Sequence, residues 1–219
     1  MNIPAISIDA ALKARVPQAR LGCLFYETVV LAEIPAIWDT MKTLYPALQK
    51  AIPWADIPNL GESRAAYKAC GKDPGRYRIS SEALYRRIRQ GNPLYHVNSV
   101  VDCNNLISIE SGFSLGSYNL DMAGSSIQFR IGQSGEAYKG IGKGMVNLEK
   151  MPLLADGQGP FGCPTSDSER AMIGLDVTHV LTVIYSFSER TQLEAALALA
   201  ERRLNEFSIC TRCTTGIVE

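Results

Sequence analysis

The sequence is poor in the residues that most often mark a metal or redox centre. Only two of its 219 residues are histidines, His96 and His179, and neither stands in an H-E-x-x-H arrangement. The six cysteines are scattered, and the pair Cys210 and Cys213 has no second ligand pair beside it. A structural zinc ion needs four such ligands. We therefore expect no metal, no cofactor and reduced thiols.

Long apolar runs and an excess of one charge are also missing. No stretch has the length needed to span a bilayer, and the N-terminus lacks the basic and apolar regions of a signal peptide. The 22 basic and 22 acidic residues cancel, which argues against a protein that binds polyanions through its overall charge. We expect a soluble cytoplasmic protein that contacts neither DNA nor membranes.

Apolar residues make up 46% of the chain, which is enough for a sizeable core. Runs typical of strands occur at positions 6–8, 22–30, 127–131, 146–148, 153–155 and 179–185. Helices are predicted at positions 10–16, 36–51, 80–90, 98–111 and 189–207, with Ser80 or Ser81 as a cap and Gly112 as a terminator. Helices at both ends of a strand-rich middle predict an α+β fold, in one domain over residues 1–219.

A basic stretch lies between positions 64 and 89. It has only two acids, and Tyr67, Tyr77 and Tyr85 are interleaved with its basic residues. Basic side chains neutralise phosphates and aromatic rings stack on unpaired bases, so the stretch indicates nucleic-acid binding. A solvated helix face with a few ion pairs is the alternative. The eight basic residues are Arg64, Lys68, Lys72, Arg76, Arg78, Arg86, Arg87 and Arg89.

A polar stripe follows one face of the predicted helix 98–111. Asn98, Asp102 and Asn105 are spaced i, i+4 and i+7, so they project from the same side. Asn and Asp are poor helix formers because their side chains compete for backbone hydrogen bonds. The stripe is either a solvated face or a polar pocket that binds a ribose or an amino group.

The pentapeptide G-F-S-L-G at positions 112–116 matches the nucleophile-elbow pattern G-x-S-x-G. That motif needs a strand before it and a helix after it, whereas a predicted helix precedes it here. Ser114 with His179 and either Asp156 or Asp176 would follow the chain order of an α/β-hydrolase triad. A small-molecule serine hydrolase that uses Ser114 is therefore kept as an alternative.

Several short motifs follow one another between residues 64 and 185. They are YK (67–68), DP (73–74), RISSEALYRR (78–87), VNSVVDCNN (97–105), YNLD (118–121), GE (135–136), Asp156 and DSER (167–170). In this order they resemble the B3/B4-type editing domain of the phenylalanyl-tRNA synthetase β-subunit. The resemblance treats residues 1–63 as an N-terminal extension and residues 189–207 as a C-terminal helix.

The resemblance implies a β-sandwich-like core flanked by helices and a pocket for the aminoacylated 3′ end of tRNA. In the synthetase this module hydrolyses the ester of a mischarged tRNA. Stand-alone relatives are similar to trans-editing deacylases, including one that acts on a non-protein arginine analogue. Aminoacyl-tRNA is therefore the implied partner, and deacylation of a mischarged tRNA is the implied reaction. The alternative is a non-catalytic module that binds tRNA or an amino acid.

Site residues follow from the same resemblance. Asn105 matches the family asparagine, while Asp167 or Glu169 would orient a water molecule or bind the amine, which makes these three the expected catalytic residues. The family's editing histidine falls at Gly116, so tyrosine-specific editing is not expected. The expected substrate-binding residues are Asn98, Asp102, Asn104, Tyr118 and Ser168. The expected RNA-binding residues are Arg64, Lys68, Arg78, Arg86 and Arg87.

Overall fold

The computed structural model describes residues 2–50, 53 and 56–219, apart from the side chain of Thr211, and has the predicted α+β fold. No helix among these residues is both long and apolar enough to cross a lipid bilayer. The helices are α1 (Ala10–Arg15), α2 (Pro35–Gln49), α3 (Leu60–Cys70), α4 (Ser80–Arg89), α5 (Ser99–Ser111) and α6 (Arg190–Glu206). The strands are β1 (Ala5–Ile8), β2 (Arg20–Thr28), β3 (Ser114–Asn119), β4 (Ser126–Ile131), β5 (Ala137–Lys139), β6 (Met145–Asn147), β7 (Pro152–Asp156), β8 (Gly159–Gly162), β9 (His179–Ser186) and β10 (Cys210–Val218).

The strands form two four-stranded sheets and a hairpin. The central sheet has the order β10-β2-β9-β3 and is antiparallel throughout. The outer sheet has the order β1-β4-β7-β8, in which only the β1–β4 pair is parallel. Strands β5 and β6 pair with each other, outside both sheets. Because the outer sheet packs on one face of the central sheet, the predicted sandwich-like core is confirmed.

The two middle strands of the central sheet, β2 and β9, are buried on both faces, and strand alternation divides their side chains between two cores. On β9, Val180 and Ile184 point toward the helices, whereas Leu181, Val183 and Tyr185 point toward the outer sheet. The molecule therefore has three layers, which are the helices, the central sheet and the outer sheet. A strand buried on both sides is nearly continuously apolar, and in the run at 180–185 only Thr182 interrupts the apolar residues.

The helical layer consists of α2, α4, α5 and α6. Apolar residues such as Ile37, Val100 and Leu193 are fully buried between these helices and the central sheet. Complete burial of one such side chain stabilises the folded state by about 1.5–3 kcal/mol. Gly22 on β2 allows α6 to approach the sheet, since a β-carbon there would lie only 2.9 Å from Leu193 Cδ1.

A third core joins α3 and α4 to the β5–β6 hairpin and to the outer sheet. Tyr67 on α3, Tyr85 on α4 and Tyr138 on β5 are all buried in it, together with Leu148 and Met151. This core holds the hairpin close to the beginning of α4.

The ends of α5 agree with the sequence prediction. Asn98 Oδ1 caps the helix by accepting from the backbone N–H of Val101 at 3.0 Å, and Gly112 ends it with φ of 81°. Such a positive φ is easily adopted only by glycine. The helix predicted at 36–51 is α2, although its predicted last residue, Ala51, lies outside the described residues.

The predicted serine cap of α4 is wrong. Ile79 occupies the cap position, and no side chain there bonds to the backbone. Instead, the N–H of Ser80 donates to the carbonyl of Pro164 at 2.7 Å, and the N–H of Ser81 donates to Ser114 Oγ at 3.2 Å. Partners distant in sequence therefore satisfy the first turn of the helix.

We expect Gly22→Ala to destabilise the protein by about 1–3 kcal/mol, because the added methyl group meets the packed leucines of α6. Gly61→Ala on α3 is the matched control, since a β-carbon there meets nothing within 4 Å. This control should leave stability unchanged or raise it by up to about 1 kcal/mol. Urea unfolding of both variants measures the difference, and equal effects would contradict the close packing of α6.

Candidate functional site

Five cationic side chains converge on one surface groove. Arg76 and Arg78 precede α4, Arg86 and Arg87 lie on α4, and Lys143 lies in the β5–β6 turn. All five line a cavity of about 530 Å³. A neighbouring cavity of about 490 Å³ shares Arg76, Lys143 and Thr165 and continues along the hairpin. We call the two cavities the basic groove. Neither has an acidic residue among its described lining residues, so the groove is suited to a polyanion.

A buried glutamate organises one side of the groove. The carboxylate of Glu82, in the first turn of α4, accepts from Arg64 at 2.7 Å and from Arg86 Nε at 2.8 Å. Glu82 is only 1% exposed, and a carboxylate buried to this degree requires such partners. Of the five predicted RNA-binding residues, Arg78, Arg86 and Arg87 line the groove. Arg64 bonds to Glu82 behind it, and Lys68 is exposed on α3 outside the lining.

The expectation that the interleaved tyrosines stack on bases is wrong for two of the three. Tyr67 and Tyr85 are buried at 0% and 4% exposure, so no ligand ring can reach them. Tyr77 is half-buried and packs under the ammonium of Lys72, 3.9 Å from the ring centroid. The exposed tyrosine of the groove is Tyr95, which lies beyond the basic stretch. Only the three-dimensional structure brings it beside Arg87.

The wall of the groove continues into a half-buried aspartate. Thr165 and Ser166 line the groove, and the next residue is Asp167. Asp167 Oδ1 accepts from the hydroxyl of Tyr118 at 2.8 Å and from the backbone N–H of Cys163 at 3.1 Å. The hydroxyls of Tyr118 and Tyr185 are themselves hydrogen-bonded. The carboxylate therefore lies at the end of a short polar chain between the two sheets.

Burial raises the pKa of Asp167 to about 7, whereas the bonds from Tyr118 and Cys163 and the charge of Lys143 act in the opposite direction. Desolvation is the largest effect because an ionised carboxylate is poorly solvated between two sheets. A carboxylate with this pKa exchanges a proton near neutral pH. It is therefore able to act as a general base.

Two glycines make room for the phenol of Tyr118. A β-carbon at Gly116 or at Gly162 would lie 2.2 Å from the Tyr118 hydroxyl, far closer than atoms can approach. The β-carbon at Gly116 would also lie 3.2 Å from Asp167 Oδ2. Gly116 is where the resemblance locates the family's editing histidine. In this protein the Tyr118–Asp167 pair occupies that space.

The polar residues at the beginning of α5 hold the helix in position. Asp102 is fully buried and accepts from Trp38 Nε1 at 2.9 Å and from the N–H of Val97 at 3.0 Å. Burial raises the pKa of Asp102. Asn98 caps the helix, and its Nδ2 donates to the carbonyl of Ile173 at 3.0 Å. The stripe is therefore not a solvated face, and Asn98 and Asp102 use their polar atoms inside the protein.

The structure does not bring the α5 residues and Asp167 into one pocket. Asn104 Nδ2 donates to Ser117 Oγ at 2.6 Å, and Ser117 lies on the face of the central sheet that is turned toward the helices. Asn105, the next residue on α5, is half-buried in this same layer. Asp167 bonds to Tyr118, whose ring lies on the opposite side, against Phe161 of β8. The sheet separates the two groups.

The remaining predicted site residues lie near Asp167. Ser168 is buried, and its Oγ accepts from the backbone N–H of Arg170 at 3.2 Å. Glu169 is more exposed and forms an ion pair of 2.9 Å with Lys139. Of the predicted set, Tyr118, Asp167, Ser168 and Glu169 are therefore neighbours. Tyr185 and Cys163 also contact this cluster but were not predicted, because their partners are distant in sequence.

The serine triad does not assemble. Ser114 lies at the start of β3 opposite Tyr185, whereas His179 begins β9 at the other end of the same strand pair. Tyr185 lies six positions from His179 along the extended chain, a distance of roughly 20 Å. Ser114 is 1% exposed and bonds to Ser81. The serine-hydrolase alternative has no site in this fold.

The family model of the B3/4 domain matches residues 62–206, which is more than half of the chain. The chain belongs to the B3/4 domain family. A comparison with curated proteins found no match. Among solved structures, an N-terminal fragment of the phenylalanyl-tRNA synthetase β-subunit from Pyrococcus horikoshii is similar, with a TM-score of 0.51 and 14% identity. The match covers 100% of this chain and 51% of that fragment, so the chain spans about half the length of the fragment.

We expect the stability of this B3/4 domain to depend on pH through Asp167. Its ordinary pKa is 3.8 and its pKa in the folded protein is about 7, so the folded state holds the proton more tightly. The contribution of Asp167 to the free energy of unfolding is therefore fully present below about pH 4 and is lost as the pH rises through 7. Asp167→Asn stays neutral and removes this loss.

Chemical unfolding at pH 5 and pH 8 measures the effect. From pH 5 to pH 8, the free energy of unfolding of the wild type should fall by on the order of 2 kcal/mol more than that of Asp167→Asn. Asp39→Asn, at an exposed position on α2, is the control and should gain nothing. The same pH dependence in wild type and Asp167→Asn would show that Asp167 does not bind the proton as described.

Proposed function

We propose that this protein is a trans-acting aminoacyl-tRNA deacylase that hydrolyses the ester of a mischarged tRNA. The observation that supports this most is the position of Asp167, a carboxylate with a pKa of about 7 that directly follows the wall of the basic groove. A polyanion in the groove would bring its end close to a general base. Membership of the B3/4 family agrees with an RNA ligand.

The groove would hold the phosphates of the tRNA 3′ end. Arg76, Arg78, Arg86, Arg87 and Lys143 surround it, and cationic side chains neutralise phosphates and release counterions. Because the net charge of the chain is zero, this attraction is local. It would guide one end of the ligand to the groove instead of holding the ligand over the whole surface.

Asp167 would activate the attacking water. As the carboxylate takes a proton from water, the oxygen bonds to the ester carbonyl carbon. The bond from that carbon to the ribose oxygen then breaks, and Asp167 passes the proton to the departing ribose oxygen, which becomes a hydroxyl group. The products are a free amino acid and an uncharged tRNA. The hydroxyl of Tyr118, bonded to Asp167 Oδ1, would keep the carboxylate in orientation.

A non-catalytic module that binds tRNA or an amino acid is the second candidate. Gly116 and the phenol of Tyr118 support it, because no histidine stands where the resemblance locates the editing residue. In that case the groove would retain its affinity for tRNA without turnover.

Release of amino acid from a panel of mischarged tRNAs, including some that carry non-protein amino acids, distinguishes the two candidates. We expect one or more members of the panel to be hydrolysed, and Asp167→Asn to lower that rate by about 10²–10⁴-fold, the usual contribution of a general base. Asp39→Asn should retain full activity. An intact panel combined with salt-sensitive tRNA binding would overturn the deacylase proposal in favour of the binding module.

The pH dependence of deacylation is a separate prediction. A general base works when it is ionised, so the enzymatic rate should rise about tenfold per pH unit below 7 and level off above it. Spontaneous ester hydrolysis, which increases with pH, is subtracted at each point. A rate that stays constant between pH 5 and pH 7 would rule out Asp167 as the base.

A further inference from the structure

Tyr95 is an exposed aromatic residue within the basic groove. Its side chain is 66% exposed, and it lies in the segment that joins α4 to α5. A single exposed apolar residue is ordinary on a protein surface. Tyr95 differs because it lines a cavity whose other members include four arginines and a lysine. An aromatic ring beside several cations is the combination that binds a base next to its phosphates.

The ring of Tyr95 is held in a defined orientation. The guanidinium carbon of Arg87 lies 3.8 Å from the ring centroid, and Arg87 Nε donates to the carbonyl of Pro93 at 2.5 Å. Leu94, the neighbour of Tyr95, is buried, and its N–H donates to the Tyr45 hydroxyl at 3.4 Å. Since Arg87 covers one face and most of the side chain remains exposed, the opposite face is open to a ligand.

We propose that Tyr95, backed by Arg87, is a stacking platform for an unpaired nucleobase of the ligand. This inference rests on the proposed function, because it takes the groove's ligand to be RNA. The base stacks on the open face of the ring while Arg76, Arg78 and Lys143 contact the neighbouring phosphates. The guanidinium behind the ring adds a cation–π contact that keeps the platform rigid.

This arrangement makes the groove specific for an unpaired strand and not for a duplex. In a duplex each base is already stacked on its neighbours, so its face is not available to a tyrosine. Every base has a π-face, and Tyr95 would therefore tolerate any base at this position. Specificity for the ligand would then depend on the unpaired state of the nucleotide.

The first test is the binding of a 5′-fluorescein-labelled RNA of twelve nucleotides, ending in CCA, measured by anisotropy. Tyr95→Ala should weaken binding by about 5- to 100-fold, the effect expected for one stacked base. Tyr95→Phe keeps the ring and should bind within about twofold of the wild type. Val97→Ala, at an exposed position two residues further on and outside the groove lining, is the matched control. Equal affinities for Tyr95→Ala and Val97→Ala would overturn the platform.

The salt dependence separates stacking from charge. Removing a phosphate contact lowers the slope of log affinity against log salt by about one, so Arg78→Ala should reduce the slope. Tyr95→Ala should lower affinity at every salt concentration and leave the slope unchanged. A reduced slope in Tyr95→Ala would mean that the tyrosine only positions Arg87, which contradicts the proposal.

Two further ligands identify the source of the base. The same oligonucleotide annealed to its complement should bind more weakly than the single strand, and its binding should be insensitive to Tyr95→Ala. Adenosine monophosphate should compete only weakly, because it provides one phosphate for a groove with five cations. Competition by this nucleotide at the affinity of the oligonucleotide would show that the platform serves a free nucleotide and not a strand end.

These measurements use uncharged RNA, so they are independent of ester hydrolysis. If the panel of mischarged tRNAs stays intact but Tyr95→Ala weakens oligonucleotide binding and Tyr95→Phe does not, the platform stands and the deacylase fails. If deacylation occurs but Tyr95→Ala does not change oligonucleotide binding, the deacylase proposal is supported and the stacking platform is ruled out.

Discussion

Burial of the middle strands β2 and β9 on both faces of the central sheet is the constraint on which the rest of the structure depends. Because neighbouring side chains of a strand point to opposite faces, each strand contributes to two separate cores. On β3, Ser117 faces the helices and bonds to Asn104, whereas Tyr118 faces the outer sheet and bonds to Asp167. The sheet therefore separates the polar residues of α5 from the carboxylate. The side chain of Asp167 therefore belongs to the core on the far side of the sheet from α5.

The groove and the carboxylate are connected by one short segment. Thr165 accepts or donates a hydrogen bond with the hydroxyl of Tyr67 at 2.8 Å, and the carbonyl of Ser166 accepts from the hydroxyl of Tyr138 at 2.5 Å. Both tyrosines belong to the third core. Buried tyrosines thus hold the groove wall in position, so the orientation of Asp167 depends on the packing of α3 and the hairpin.

Elements with a strong periodic pattern were predictable, whereas helix α3 and the strands β3, β5, β8 and β10 were not. Helix α3 (Leu60–Cys70) was missed because its inward face relies on small residues and Tyr67, with few large apolar side chains at helical spacing. Strand β10 (Cys210–Val218) was missed because it is mostly polar or small and forms an edge by pairing with β2, nearly the whole chain away. The α4 cap was wrong for the same reason, since its partners, Pro164 and Ser114, are remote in sequence.

The sequence by itself determined the fold class, the local excess of positive charge and the order of motifs that identifies the family, because these depend on composition and short-range spacing. Only the tertiary structure decided which charges converge, since Lys143 joins the arginines through the hairpin. It also decided that Tyr95 is exposed while Tyr67 and Tyr85 are buried. The pKa of Asp167 has the same origin, because desolvation between two sheets is a property of non-local packing.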